Sequence, residues 1–416
     1  MSKRFNFVLA ILLIGSVLMA SCAPAATPAP AAAPTTAPVM APTTAPVMAP
    51  TTAPVMAPTT APVMAPTTAA AAPTTAPAAP TTAPVAPTIA APAVTATLPS
   101  TGQIKIVYIP KNTGNPYFDS IIKGFTQACK ELNCAFTTTA PATADATSQV
   151  SFVKDQIQRG VNVIAISPNS PDALDQVFDQ ARAKGIKVLI VNSDIPKNET
   201  HRDAAVLPMD FNITGSSQVE LMGSLIGYTG KIAVLSATAD APDQNFWIQG
   251  MKTALQDPKY SKMQLVDVVY GNDDPQKSLT ECESLLSKYP DLRGIISPTT
   301  VGVAASAQCV ESAGRQPGGA NAVGAGLEVT GLGTPNQMRA FVTDGTVKAF
   351  ALWSPYDEGY LSGYMGVGMV NGSITPKEGG SFDLPLLGAH TFGPLNAVIT
   401  GPPTIFTKDN IANFNF

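Results

Sequence analysis

VYIPKNTGNPYFDSIIKGF, residues 107–125, changes its hydrophobic period part of the way along. Val107, Tyr108 and Ile109 close a run of β-branched and aromatic residues that begins at Ile104, the composition of a buried strand. Pro110 ends that run, and an Asn/Gly/Pro turn follows. From Phe118 onward the apolar residues recur at helical spacing, with Phe118, Ile121, Ile122, Phe125, Cys129 and Leu132 on one face. The stretch therefore predicts strand, tight corner, helix, with Lys111, Asn115, Tyr117 and Phe118 at the corner.

The same alternation continues through the chain. Short apolar runs stand at VNVIAIS (161–167), IKVLIVNSD (186–194), KIAVLSATAD (231–240), LVDVVYG (265–271), RGIISPTT (293–300) and VKAFALW (347–353), separated by amphipathic segments. Strands and helices alternating at this spacing require right-handed crossovers and parallel sheets covered on both faces. The expected class is α/β. Three units precede Pro208-Met209 and further strands follow it up to Trp353, which predicts two Rossmann-like lobes joined near residues 208–210.

The N-terminal hundred residues are a different polymer. Residues 1–22, MSKRFNFVLAILLIGSVLMASC, carry a Lys3-Arg4 head, an apolar run from Phe7 to Met19 and small residues before Cys22, the pattern of an export signal. The ending VLMASC resembles a bacterial lipobox, whose cysteine is lipidated, with Met19 where leucine is usual. From Ala23 to about residue 102 the chain is almost all Ala, Pro, Thr, Val and Met, with APTTAPVM repeated four times between Ala33 and Met64. Prolines at that frequency remove backbone donors and favour extended geometry, so this is a disordered or semi-rigid stalk. At roughly 3 Å per residue it would hold a domain up to about 200 Å from its anchor.

The remaining three hundred or so residues suffice for two domains. A formal charge of −4 provides no basic surface for nucleic acid. Four of the five cysteines fall here. In an exported protein Cys129 with Cys134, and Cys282 with Cys309, are either disulfides or free buried thiols; spacing leaves both open.

In open parallel sheets ligands bind beyond the carboxyl ends of the strands. Those corners hold Lys111 and Asn115-Pro116-Tyr117-Phe118, then Asn192-Ser193-Asp194, Asp240, Asp243-Gln244-Asn245 and Trp247, Pro298-Thr299-Thr300, and Trp353 with Asp357 beyond. Each alone reads as turn, cap or core chemistry. Together they mix carboxylate, carboxamide, hydroxyl and ammonium groups with aromatic faces, which suits a polyhydroxylated ligand. Catalysis is not expected. The two histidines, His201 and His390, lie in unrelated contexts, and no nucleophile elbow or Walker A run is present. Gly366-Val367-Gly368 sits in a helical pattern and reads as helix packing, not a dinucleotide site. No cofactor or metal is implied.

IPKNTGNPYFD, GVNVIAISPNSPDAL, GIKVLIVNSD, DQNFW, YPDLRGIISPTTVGVAA, GLGTPNQM, GTVKAFALWSP and the terminal FTKDNIANFNF, in that order, resemble the sugar-binding branch of the periplasmic binding proteins that serve ABC importers. The group containing rhamnose-binding and autoinducer-2-binding members is the most similar. The resemblance covers the chain from about Ile104 to its end. It implies the type I fold, two lobes joined by three hinge crossings and closing on ligand: residues 103–208 with about 354–392, and 209–353 with about 393–416. It also implies a small-molecule sugar, an ABC permease as partner and a monomer, while the signal and lipobox imply an exported, lipid-anchored location through Cys22.

By motif, the ligand contacts of the autoinducer-2 binders fall on Lys111, Asp243, Gln244 and Pro298, while their aspartate is replaced by Asn192 and their alanine by Thr300. The family's aromatic shelf falls on Tyr117 or Phe118 and on Trp353. PTTVG is more similar to the rhamnose-binding side, so a deoxy- or other aldose sugar is preferred. The alternatives are autoinducer-2 uptake, a sugar sensor feeding a chemoreceptor, and an exported carbohydrate-processing enzyme working through carboxylates such as Asp194 and Asp243.

Overall fold

The computed structural model describes residues 102–416. The export signal, Cys22 and the proline-rich stretch lie outside the described residues.

The first lobe opens with β1 (Lys105–Ile109), α1 (Pro116–Leu132), β2 (Ala135–Thr138), α2 (Val150–Arg159), β3 (Val163–Ile166), α3 (Asp175–Ala183), β4 (Lys187–Val191) and β5 (Ala204–Leu207). The second contains α4 (Phe211–Ile226), β6 (Gly230–Ser236), α5 (Pro242–Ala254), β7 (Met263–Tyr270), α6 (Pro275–Lys288), β8 (Leu292–Ser297), α7 (Thr300–Ser312), β9 (Glu328–Gly331), α8 (Pro335–Asp344) and β10 (Ala349–Leu352). The chain then returns with α9 (Pro355–Asn371), the hairpin β11 (Ser381–Leu384) and β12 (Gly388–Thr391), and β13 (Ala397–Ile399), before β14 (Thr404–Thr407) ends it in the second lobe.

The first sheet runs β13-β5-β4-β3-β1-β2 and the second β7-β6-β8-β9, both parallel throughout. β14 pairs antiparallel with β10, which touches the end of β9 through a Leu332–Ala351 bridge. Strand residues of the first sheet alternate between two apolar layers. Val107, Ile109, Ile164 and Ile190 pack on α2 and α3 through Val153 and Phe178. Ile106, Tyr108, Val163 and Leu189 pack on α1 and α9 through Ile121, Phe125 and Tyr360. That double burial explains why the strands read as unbroken apolar runs.

The chain passes between lobes at 208–210, at 353–354 and at 400–403. The third passage differs from the expectation of a crossing near 392–393. Residues 397–399 pair with Ala205, Val206 and Leu207, so they complete the first sheet, and Thr400 still donates its N–H to Leu207 O at 2.9 Å. A three-residue strand carries too little apolar pattern to be read from sequence. β2 (AFTT), β5 (AAVL) and β9 (EVTG), four residues each, also escaped, because small and polar residues leave them without a run of β-branched or aromatic side chains.

Local chemistry shapes the first corner as expected. Asn115 caps α1 by accepting from Tyr117 N at 3.1 Å, Pro116 occupies the first turn, and Asn133 ends the helix in left-handed geometry at φ 53°. Both cysteine pairs are bonded: Cys129–Cys134 closes the turn after α1, and Cys282–Cys309 ties α6 to α7.

α1 and α9 cross so closely that glycine is required on both. A Cβ on Gly124 would stand 2.0 Å from Tyr356 O, and one on Gly359 would stand 1.9 Å from Ile121 O. Gly366, in α9 as expected, faces Ile106 and Val163 of the sheet. Because the helices cannot separate without losing this packing, Gly359→Ala should lower the unfolding free energy by about 2–3 kcal/mol, the upper part of the overpacking range. Urea denaturation of the full chain measures it, and an unchanged midpoint contradicts this packing.

Candidate ligand-binding cleft

Lys111 follows β1 directly and is only 2% exposed. Its backbone is pinned, since Asn169 Nδ2 donates to Lys111 O at 2.8 Å and Gln149 Nε2 donates to Pro110 O at 3.0 Å. The ammonium is thereby aimed across the gap between lobes, where it donates to Asp243 Oδ1 at 2.6 Å and Gln244 Oε1 at 3.2 Å. Asp243 and Gln244 sit in the first turn of α5, not at its cap, which is Ala241. A helix N-terminus favours a carboxylate there, and the buried lysine completes its partners.

A second set of contacts comes from the aromatic side. Asn192, just past β4 in left-handed geometry at φ 70°, accepts from Tyr117 OH at 2.6 Å and places its Nδ2 3.5 Å from Asp243 Oδ2. Trp353 Nε1 donates to Tyr117 OH at 2.6 Å, and the buried Glu358 of α9 contacts the same hydroxyl. Thr300 OH donates to Asn115 Oδ1 at 3.1 Å, another link between lobes. Phe118 and Pro298 fill in the wall, Gln244 reaching toward Pro298 O at 3.5 Å. Trp247 and Trp353 meet edge to face, with centroids 5.9 Å apart.

All ten positions expected from sequence line this one cleft. Asp194 does not. It forms a two-pronged pair with Arg202, at 2.7 Å from both Nε and Nη2, so it does not flank a common space with Asp243. Asp240 is exposed. Trp247 and Thr299, two further corner residues named above, line it as well, and the structure adds Asp273, Leu332 and Leu352. Trp247 lies four residues after Asp243 on α5, a spacing that puts both on one face. Asp273 stands at the corner after β7, where the carboxyl-edge rule also applies. Its carboxylate is turned inward by successive left-handed residues, Asn272 at φ 58° and Asp273 at φ 52°, and accepts from the Thr299 hydroxyl.

Burial dominates the titration of this site. It raises Asp273 above the usual aspartate range, opposed by the nearby Lys111 charge. It raises Glu358 and Tyr117 well above their ordinary values, Tyr117 also through the adjacent Glu358. The cleft encloses about 30 Å³, room for roughly two waters. Admitting a larger polar molecule therefore requires the Lys111–Asp243 and Thr300–Asn115 contacts to part. The exposed groups would be carboxylates and amides to accept hydroxyl protons, an ammonium and a threonine to donate, and indole faces to cover C–H surfaces.

A profile of the periplasmic binding protein domain matches residues 106–374. The chain belongs to the periplasmic binding protein family. It is 38% identical to a sugar ABC transporter protein from Actinomyces odontolyticus, covering 75% of this chain and 97% of that one at a TM-score of 0.60. An ABC transporter solute-binding protein from Clostridium phytofermentas with bound L-rhamnose is 31% identical, covering 75% and 98% at a TM-score of 0.70. LsrB from Clostridium saccharobutylicum in complex with AI-2 is 25% identical, covering 75% and 100% at a TM-score of 0.69. The chain spans 48% and 63% of the lengths of two curated relatives that it matches at 28% and 23% identity.

Asp273 yields a pH test. Its folded-state affinity for protons is raised, so ionising it costs stability as pH rises, and that cost is absent below its ordinary value of 3.8. Asp273→Asn should melt higher than the parent at neutral pH, with the difference vanishing in strong acid. A melting difference independent of pH contradicts the assignment.

Proposed function

We propose that the protein is the solute-binding component of an ABC importer, capturing a small sugar, rhamnose-like or another aldose, between its lobes and delivering it to the membrane permease. The observation that carries this reading is the pairing of Lys111, Asp243, Gln244 and Asn192 with Trp247 and Trp353 in one inter-lobe cleft of a periplasmic binding protein. Hydroxyls of a pyranose replace the contacts these groups make with each other, and the indoles take its apolar face. Bound sugar bridges the lobes and favours their closed arrangement by its own differential contacts. The export signal and Cys22 support an exported, lipid-anchored protein at the cell envelope.

AI-2 is the second reading, motivated by the LsrB likeness. Asn192 and Thr300 weigh against it. Where the autoinducer-2 binders carry an aspartate, a neutral amide forfeits charge-assisted bonds of roughly 1 kcal/mol each, and threonine adds bulk in place of alanine. A sensor role feeding a chemoreceptor uses the same cleft and differs only in the partner. A carbohydrate-processing enzyme is disfavoured by Asp194 lying outside the cleft and Asp243 being engaged by Lys111.

Calorimetric titration of the full chain with L-rhamnose, D-xylose, D-ribose and AI-2 tests the proposal. An aldose should bind most tightly, and Trp353→Ala and Asp243→Asn should each weaken it about tenfold or more, which is 1.4 kcal/mol per decade. AI-2 binding tighter than every sugar selects the second reading. No binding of any of them, or variants with parental affinity, contradicts the site.

A further inference from the structure

Behind the cleft, Tyr117 OH has one proton and three polar neighbours: Trp353 Nε1 at 2.6 Å, Asn192 Oδ1 at 2.6 Å and Glu358 Oε2. The indole N–H only donates, so Tyr117 accepts from it. Tyr117 then donates either to Asn192 or to Glu358, not to both. The choice is decided at the far end of the asparagine. Its second amide atom faces Asp243 Oδ2 at 3.5 Å, and Asp243 is the carboxylate paired with Lys111. An amide N–H facing that carboxylate is favourable, and an amide oxygen facing it is repelled. Asn192 therefore turns Nδ2 to Asp243 and Oδ1 to Tyr117, Tyr117 donates to Asn192, and Glu358 must supply the remaining proton.

We infer that Glu358 is a positioning residue for the cleft: as a neutral acid it donates to Tyr117, which donates to Asn192 and so presents the Asn192 N–H end to the ligand. The inference rests on the reading of this cleft as a ligand site. Its consequence is specificity. With Glu358 neutral, Asn192 offers a donor and selects a ligand with an acceptor at that point, a ring oxygen or a hydroxyl lone pair. With Glu358 ionised, Tyr117 turns back to the carboxylate, the amide rotates, and an oxygen replaces the donor.

The surroundings keep the acid neutral. Glu358 is completely buried, and its Oε1 has no hydrogen-bond partner. An unpaired carboxylate oxygen there would be far more costly than an unpaired carbonyl. The groups facing it are Tyr117 from α1, Tyr108 from β1, Asp243 with its Lys111 from α5 and the first corner, and Asp357 on its own helix. Burial is the main cause that raises its proton affinity, Asp243 and Asp357 add to it, and hydrogen bonding with Tyr117 and the Trp353 indole opposes it without reversing it. Protonation is thus maintained at neutral pH and lost as pH rises.

Two readouts on the full chain test this. Infrared spectra should contain the deuterium-sensitive carbonyl stretch of a buried neutral carboxylic acid at neutral pH, absent in Glu358→Gln. Its absence from the parent overturns the inference whether or not any sugar binds. Titration with the tightest-binding sugar of the panel above should show affinity falling about tenfold from neutral to alkaline pH, the loss of one hydrogen bond. Glu358→Gln keeps a donor toward Tyr117 that cannot ionise, so it should retain parental affinity within about twofold and lose the alkaline fall. Glu358→Ala should bind more weakly at every pH. A glutamine variant that is as weak as alanine, or that keeps the alkaline fall, overturns the inference. A parent that binds no sugar defeats the functional reading instead, and the infrared band still decides the state of Glu358.

Discussion

Lys111 and Asp243 form an ion pair buried between two lobes, 2.6 Å apart and almost without solvent contact. Each charge taken from water alone costs several kcal/mol, so neither is tolerated in that position without the other or a substitute. The rest of the cleft is organised by this requirement. The Asn169 and Gln149 amides clamp the loop that carries Lys111, the N-terminus of α5 supports Asp243, and Asn192 and Gln244 supply further hydrogen bonds to the pair. A ligand that separates the lobes has to offer each charge a replacement. A molecule bearing several hydroxyls does so at both ends, because a hydroxyl donates to the carboxylate and accepts from the ammonium.

The fold places this pair at the meeting of two sheets. The β1 corner and the end of β4 come from the first lobe; α5, the β7 corner and the start of α7 come from the second; and Trp353 stands at a passage between them. Contacts made by Trp353, Tyr117 and Glu358 therefore link the cleft to one of the strands of chain about which the lobes would turn. The third passage, through 400–403, leaves β13 hydrogen-bonded to β5.

Much of this was legible in the residues themselves. Long β-branched runs such as KIVYI and KVLIV announced the buried strands, and the rule that ligands gather at strand carboxyl ends picked out residues that the structure brings together. What escaped did so for identifiable reasons. AFTT, AAVL and EVTG are diluted by small and polar residues, and three-residue β13 shifted the last crossing. Asp273 depends on two consecutive left-handed residues, a conformation that an Asn-Asp-Asp sequence permits without requiring. Glu358 lies in the first turn of a helix, where an acidic residue is ordinary, and only the crowd of groups at Tyr117 reveals its role. Cysteine spacing left the disulfides open because it does not orient the Cβ atoms.

The chain has two tryptophans, Trp247 and Trp353, and both line the cleft. Selectively excited tryptophan fluorescence of the full chain, free of the nine tyrosines, consequently reports on this site. Titrating the sugar that binds by calorimetry should change tryptophan emission along the same saturation curve, because the ligand lies against the indoles. Saturable calorimetric binding with no change in emission would place the sugar elsewhere and contradict the account.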